Sequence, residues 1–512
     1  MDQAQRWPAD AQKTGSDHIF IFGGEFNDID PSDNSFCCNG IIAADRSLHP
    51  HAYEVAYQYR NIHTSGAGAW NKVSVYNENF FIDLSRYRLE WDVEVDGHKV
   101  LSGVVPKLDV APQAAAVIPL DFTAEDVLCA AGVDDLIGFD VYLNVRYVLK
   151  RADSLLPAGS QVSYDQICLN EADLPVFRNK SGLPEYVAEG QKHIFSGLMT
   201  YEGPGSRRIS PWKAVFDAGK GALISYMVGD DEFVSEPLMP CFGRAVTEND
   251  LGAQFEKKLS GWLYPEFAVR DFTVRKNDDN YLVTVAFAPF AVNPGPGQSA
   301  QDKYLAEVSM SYTIYADGTV AGVETLSDGG NLTRAAMLPR FGMELAMPGE
   351  YSVLEFYGKG PFENYCDRNS AALVGHYVQR VEDQYHWGYV RPQESGTKTG
   401  LKWMKVTDDN GTGLMITSDV KFTASALPIS RRQIDMSITG GVRRDKGDQR
   451  HSLELKKAAC ENVRSLGKTY VNFDLRQMGL GCVDSWGSWP REEYLLKAQP
   501  MEFRFVLRPV SN

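Results

Sequence analysis

From about residue 63 to the C-terminus the chain alternates apolar and polar residues with a period of two, segment after segment. That period places successive side chains on opposite faces of an extended strand, so it specifies sheets with one buried face and excludes a helical protein. Leu89-Glu-Trp-Asp-Val-Glu-Val95 alternates, turns at Asp96-Gly97 and returns as His98-Lys-Val-Leu101. Asp-Gly between two such runs is a strong hairpin signal. Val141 to Tyr147 alternates again, and these runs predict a β-sandwich over residues 63–178. The pattern lapses around Asp173 to Gly182, which places a boundary near 178. Beyond it the runs resume at Gly221–Val228, Tyr281–Phe287, Leu305–Tyr315, Val353–Tyr357, Gly413–Thr417, Tyr470–Leu475 and Met501–Leu507, with turns such as Asp317-Gly318 between them. With no sustained helical period and no simple repeat, residues 179–512 read as one large sheet-on-sheet domain.

Residues 1–62 read differently. His18-Ile-Phe-Ile-Phe-Gly-Gly24 is almost wholly apolar, which suits a strand buried on both faces, as in a parallel sheet. A loop rich in Asp, Asn, Pro and Ser follows, Asn27 to Ser35, and Pro50 then opens a stretch with Ala52, Val55, Ala56, Tyr59 and Ile62 at helical spacing. The segment is a single β/α unit. One such unit cannot form a sheet of its own, so it belongs to something larger.

Composition narrows the function. At 512 residues about three domains are expected. The charge is 51 − 67 = −16 with no Lys/Arg cluster, which argues against nucleic-acid partners. No run of apolar residues is long enough for a membrane helix. The first residues, Met1 to Arg6, lack a signal pattern, and the chain as written is expected in the cytoplasm. Eight cysteines without a C-x-x-C pair argue against a disulfide scaffold or a zinc site. Aromatic residues reach 11%, a composition suited to surfaces that stack on flat ligands such as sugars.

No phosphate loop, nucleophile elbow or dinucleotide fingerprint occurs. Glycoside hydrolysis needs two carboxyls, but with 67 acids in the chain a spacing search selects none. Glu25, directly after a buried strand, could stand at the mouth of a barrel; equally, it fits a loop acid bonded to backbone. His386, between Tyr385 and Trp387, is the one histidine in an aromatic setting.

Several blocks together resemble a family. Phe22-Gly-Gly-Glu-Phe26, Ser35-Phe-Cys-Cys-Asn-Gly40 and Ala44-Asp-Arg-Ser-Leu-His-Pro50 resemble the end of the catalytic barrel of glycoside hydrolase family 2 β-galactosidases. Phe242 to Gly252, Gly358 to Arg368, Tyr389 to Gly396 and Met478 to Trp486 resemble signatures of their C-terminal domain, in the family's order. The resemblance implies a mainly β chain in three parts. Residues 1–62 would be the end of a (β/α)8 barrel and 63–178 an immunoglobulin-like sandwich. Residues 179–512 would be a β-supersandwich similar in fold to aldose mutarotases.

The resemblance also implies a retaining hydrolase of terminal β-galactosides such as lactose. Its nucleophile, its acid/base glutamate and its magnesium ligands would lie upstream of residue 1. Phe36, through its carbonyl, and Asn39, through its side chain, match sodium ligands, although Asn39 before Gly40 also suits a turn. Trp486 matches an aromatic platform for the second sugar, where the bland alternative is a core Trp. Gly252 stands at the base of a loop that closes over substrate in the family, although a plain turn fits as well. Glu25 stands where the family usually has Asp. The expected partners are a β-galactoside, a missing barrel portion or large subunit, and further copies of the intact enzyme. The alternatives are a non-catalytic small subunit of a two-chain enzyme, or a free-standing sugar-binding or mutarotase-like protein.

Overall fold

The computed structural model describes residues 3–6, 18–21, 40–174, 182–203, 206–290, 305–328, 337–435, 467–481, 483–484 and 487–511. Strands dominate, as the period of two requires, and the chain divides into two compact units. One comprises residues 1–50, 175–369 and 377–512; the other comprises 51–174 and 370–376.

The smaller unit is built from a three-stranded and a four-stranded antiparallel sheet. The predicted hairpin is present, Tyr87–Val95 pairing with His98–Val105 across Asp96-Gly97. Both turn residues have positive φ, 48° and 77°, the geometry that an Asp-Gly turn supplies at least strain. Inward residues of both sheets, among them Val73, Val75, Trp91, Val93, Val145 and Tyr147, form one core. Gly103 leaves room for the Trp91 indole, because a Cβ there would overlap the ring.

This unit also takes in seven residues from far along the chain. Tyr164 donates to the Ala371 carbonyl at 2.8 Å. The Gln166 amide bonds Val374 in both directions, donating to its carbonyl and accepting from its N–H, each at 2.8 Å.

The larger unit holds a 17-stranded antiparallel sheet. Six of the runs predicted from the alternation fall on its strands, for example Asn280–Phe290, Glu307–Tyr315 and Met501–Val510. The run predicted at Gly413–Thr417 is the start of a longer strand, Gly413–Leu427. Its core is continuous and strongly aromatic, with Trp212, Phe216, Tyr226, Phe233, Trp262 and Phe473 all buried.

Two expectations need correction. His18–Ile21 is a strand, but it pairs antiparallel with Gln3–Arg6. An apolar run specifies burial and says nothing of the direction of its partner. The helix after Pro50 spans His51–Gln58 only, and Ile62 begins the strand Ile62–Gly66. A period of 3.6 and a period of two overlap over so few residues.

One residue breaks the alternation on purpose or at a cost. Along Val320–Ser327 every second side chain is buried, and the slot between Gly322 and Leu326 holds Glu324, fully buried. Neither of its carboxyl oxygens has a hydrogen-bond partner, and nor does the Tyr312 hydroxyl on the adjoining strand. Burial, reinforced by Asp474, raises its pKa well above the ordinary value of 4.5. A carboxyl whose folded pKa is raised stabilises the fold when protonated, and that contribution is lost as pH rises above 4.5. Glu324→Gln removes the ionisation while keeping the shape. The variant is expected to gain on the wild type as pH rises from 5 to 8, by about 1–3 kcal/mol at the upper end. Urea unfolding at several pH values measures this, and a constant difference would contradict it.

Candidate functional site

The larger unit contains many buried charges, and one group of them converges on a single carboxylate. Glu363 follows the strand Val353–Gly360 in the stretch Gly-Pro-Phe-Glu-Asn-Tyr. Arg368 donates to its Oε1 at 2.7 Å and the Tyr389 hydroxyl to the same oxygen at 2.9 Å. Ser395 Oγ and the Gly396 N–H donate to Oε2 at 2.9 and 2.7 Å. Burial alone would raise the Glu363 pKa. Arg368, His386, the Gly396 amide and the Ser395 hydroxyl outweigh it and bring the value down to about 2.

Lys398 lies close by, fully buried, donating to Gln384 Oε1 at 2.9 Å and to the Gly396 carbonyl at 3.1 Å. Its burial lowers its pKa to about 8 against the pull of Glu363. His386, its backbone N–H donating to Ser395 Oγ, brings a further ring. Its Nε2 lies 2.9 Å from His49 Nδ1, and both rings pack on Tyr389.

A second group lies around Arg340, which is 2% exposed. Its guanidinium reaches Asp474 at 3.3 Å, Glu394 at 3.4 Å and Gln477 at 3.1 Å. One cation against two carboxyls leaves a proton to be kept. Burial, opposed by Arg340 and reinforced by Glu394, pushes Asp474 up to about 8, so Asp474 keeps it.

A third group fixes Gly252. Thr247 and Asp250 form a reciprocal cap on the helix Glu248–Gly252. Asp250 is held by the buried Arg244 guanidinium, which also donates to the Gly479 carbonyl at 3.3 Å. Beyond Gly252 the chain continues as two short helices with Phe255, Leu259 and Trp262 buried. Gly487 has φ +108°, and a Cβ on it would overlap the Gly252 carbonyl. Only glycine permits two backbones to approach so closely.

Of the residues singled out in the sequence, Gly252 and His386 take these positions. Phe36, Asn39, Trp486 and Glu25 lie outside the described residues. The structure does join the sequence blocks. Ala44–Pro50, Gly358–Arg368 and Tyr389–Gly396 meet around Glu363. Phe242–Gly252 meets the block beginning at Met478 through Arg244 and Gly479, and Gly481 N–H donates to Asp367 at 2.9 Å. Glu363 itself was not singled out. The available signal was a lone acid in a Gly/Pro turn with an Arg five residues on. In a chain with 67 acids that signal is faint.

A family model described as beta galactosidase small chain matches residues 208–507, more than half the chain. Models for beta-galactosidase domain 4 and for the TIM barrel domain of glycosyl hydrolases family 2 match residues 73–170 and 5–64. A beta-galactosidase of Halalkalibacterium halodurans is 30% identical over 96% of this chain and 43% of its own length. One of Priestia megaterium is 28% identical over 96% of this chain and 42% of its own. The chain therefore spans less than half the length of the curated relatives it matches.

Removing the Glu363 charge leaves Arg368 and Lys398 buried without their counter-charge. Glu363→Gln is expected to cost about 3–5 kcal/mol. A depressed carboxylate pKa stabilises above 4.5 and loses that stabilisation as pH falls towards 2. The variant should therefore show a flatter acid limb over that window in denaturant unfolding, and an unchanged limb would refute the assignment.

Proposed function

Since the chain belongs to the β-galactosidase small-chain family, we propose that it is the C-terminal part of a retaining β-galactosidase acting on terminal β-D-galactosides such as lactose. The observation that carries this reading is the run of three family models in chain order, with curated beta-galactosidases matching 96% of the chain. On this reading the chain furnishes part of the substrate site. The nucleophile and the acid/base glutamate stand on a portion of the relatives that it does not span. A second reading, a small subunit that complements a separate large chain, is favoured by the small-chain match itself.

The proposed division of work follows from residue chemistry. Retaining hydrolysis needs a carboxylate nucleophile and a proton donor about 5 Å apart, and both would come from the barrel. Trp486 would offer a rigid apolar wall to the second sugar, since an indole brings much area at little entropic cost. Gly252, fixed by the capped helix beneath it, would set the rim on which that sugar lies. The Phe36 carbonyl and the Asn39 side-chain oxygen would supply oxygen donors of the kind that suits a hard cation such as sodium. Magnesium would be held by the complementing portion, and the intact enzyme would be a homo-oligomer. A cytoplasmic setting fits the unbridged thiols of Cys129, Cys241 and Cys366. Among the described residues no helix is long and apolar enough to cross a membrane.

Incubation with a chromogenic β-galactoside tests the reading. The purified chain alone should give no turnover, and mixing it with the N-terminal portion of a family β-galactosidase should generate it. In that mixture Trp486→Ala should weaken binding of the second sugar by about 1–3 kcal/mol. Turnover by the chain alone, abolished by replacing one of its own acids, would overturn the proposal.

A further inference from the structure

The loop at residues 40–50 is closed by its own hydrogen bonds. The Ala43 N–H donates to the Ser47 carbonyl at 2.9 Å and the His49 N–H to the Ile41 carbonyl at 3.0 Å. Asp45 accepts from the Ser47 N–H and hydroxyl. The tip is exposed, with Ile42 and Leu48 both nearly half accessible, whereas His49 is 8% exposed. His49 is stacked on Tyr389 with ring centroids 5.4 Å apart and 19° between planes. Its Nδ1 meets His386 Nε2 at 2.9 Å. His49 is thus a buried contact between this preformed loop and the rest of the larger unit.

A hydrogen bond between two imidazole nitrogens needs one donor and one acceptor. Two neutral rings satisfy this, and so do one neutral ring and one imidazolium. Two imidazolium rings do not, because each nitrogen then carries a hydrogen and two positive charges face each other at contact distance. Glu363 attracts a positive charge at His386, which supports one extra proton on the pair. The Tyr389 hydroxyl and Arg368 both already donate to Glu363 Oε1, and Lys398 stands on the same carboxylate's electrostatic field. Glu363 therefore has two cations to balance before any imidazolium is added.

We propose that His49 and His386 form an acid-sensitive clasp that positions the loop at residues 40–50 on the larger unit. The loop is docked while the pair holds at most one extra proton, and it is released when both rings are charged. This goes beyond the functional reading above and does not depend on it. Histidines are the side chains whose ordinary titration falls between pH 5 and 8, so release occurs on mild acidification, before the bulk of the carboxylates titrate.

Hydrogen exchange of the 512-residue chain at pH 7.5 and 5.5, corrected for intrinsic rates, tests this. In the wild type, protection of peptides covering residues 41–50 should fall at least threefold at pH 5.5. Peptides from the strand Tyr87–Val95 should not change. The double variant H49N/H386Q sets amides where Nδ1 and Nε2 stand and keeps a donor–acceptor pair that does not titrate. Its loop should be equally protected at both pH values, whereas H386F should be loosened at both. Equal wild-type protection at the two pH values would overturn the proposal on its own. So would a double variant that loses protection in acid as the wild type does.

Discussion

The larger unit is organised by the desolvation of ionised groups. A carboxylate in a protein interior is tolerated only when donors surround it, and Glu363 collects four, from Arg368, Tyr389, Ser395 and Gly396. Three of those donors come from the stretch Tyr389–Gly396. That stretch has no regular hydrogen-bonded ladder of its own and takes its shape from the charge it encloses. Arg340 and Arg244 repeat the arrangement with the sign reversed. The apolar core could be built in many registers, but a buried ion with fixed donors is satisfied in one. Such networks thereby tie distant loops into a single arrangement.

This explains what could be read from the residues alone. The strands were legible because alternation is a local property: the hairpin at Asp96-Gly97 and the strand at Met501–Leu507 follow from a dozen residues each. The family was legible because seven short blocks keep their order, and the comparisons bear it out. The direction of the His18–Ile21 strand was not legible, since an apolar run carries no information about its partner. The convergence on Glu363 was not legible either. Its donors lie 5 to 33 residues away in sequence, and nothing in their spacing distinguishes them from solvated surface charge.

Glu324 and Gly487 mark two further limits of local reading. Glu324 sits on a strand whose other inward positions are apolar or glycine, so alternation places it correctly and its chemistry contradicts the placement. Gly487 reads as one more turn glycine. Its requirement is set by the Gly252 carbonyl more than 200 residues earlier, and only the folded chain reveals that the two backbones touch.

The seven residues 370–376 have a consequence for synthesis. The smaller unit is otherwise complete by residue 174, yet its strand Gln161–Asn170 waits for Ala371 and Val374, contacts separated by 207 and 208 positions. A chain emerging from the ribosome at roughly 5–20 residues per second would leave the Tyr164 and Gln166 side chains without these partners for about ten seconds or longer. The interval spans most of the translation of the long sheet. The nascent sandwich thus lacks its last packed segment while the long sheet is still being made, the stage at which chaperones would find most to bind.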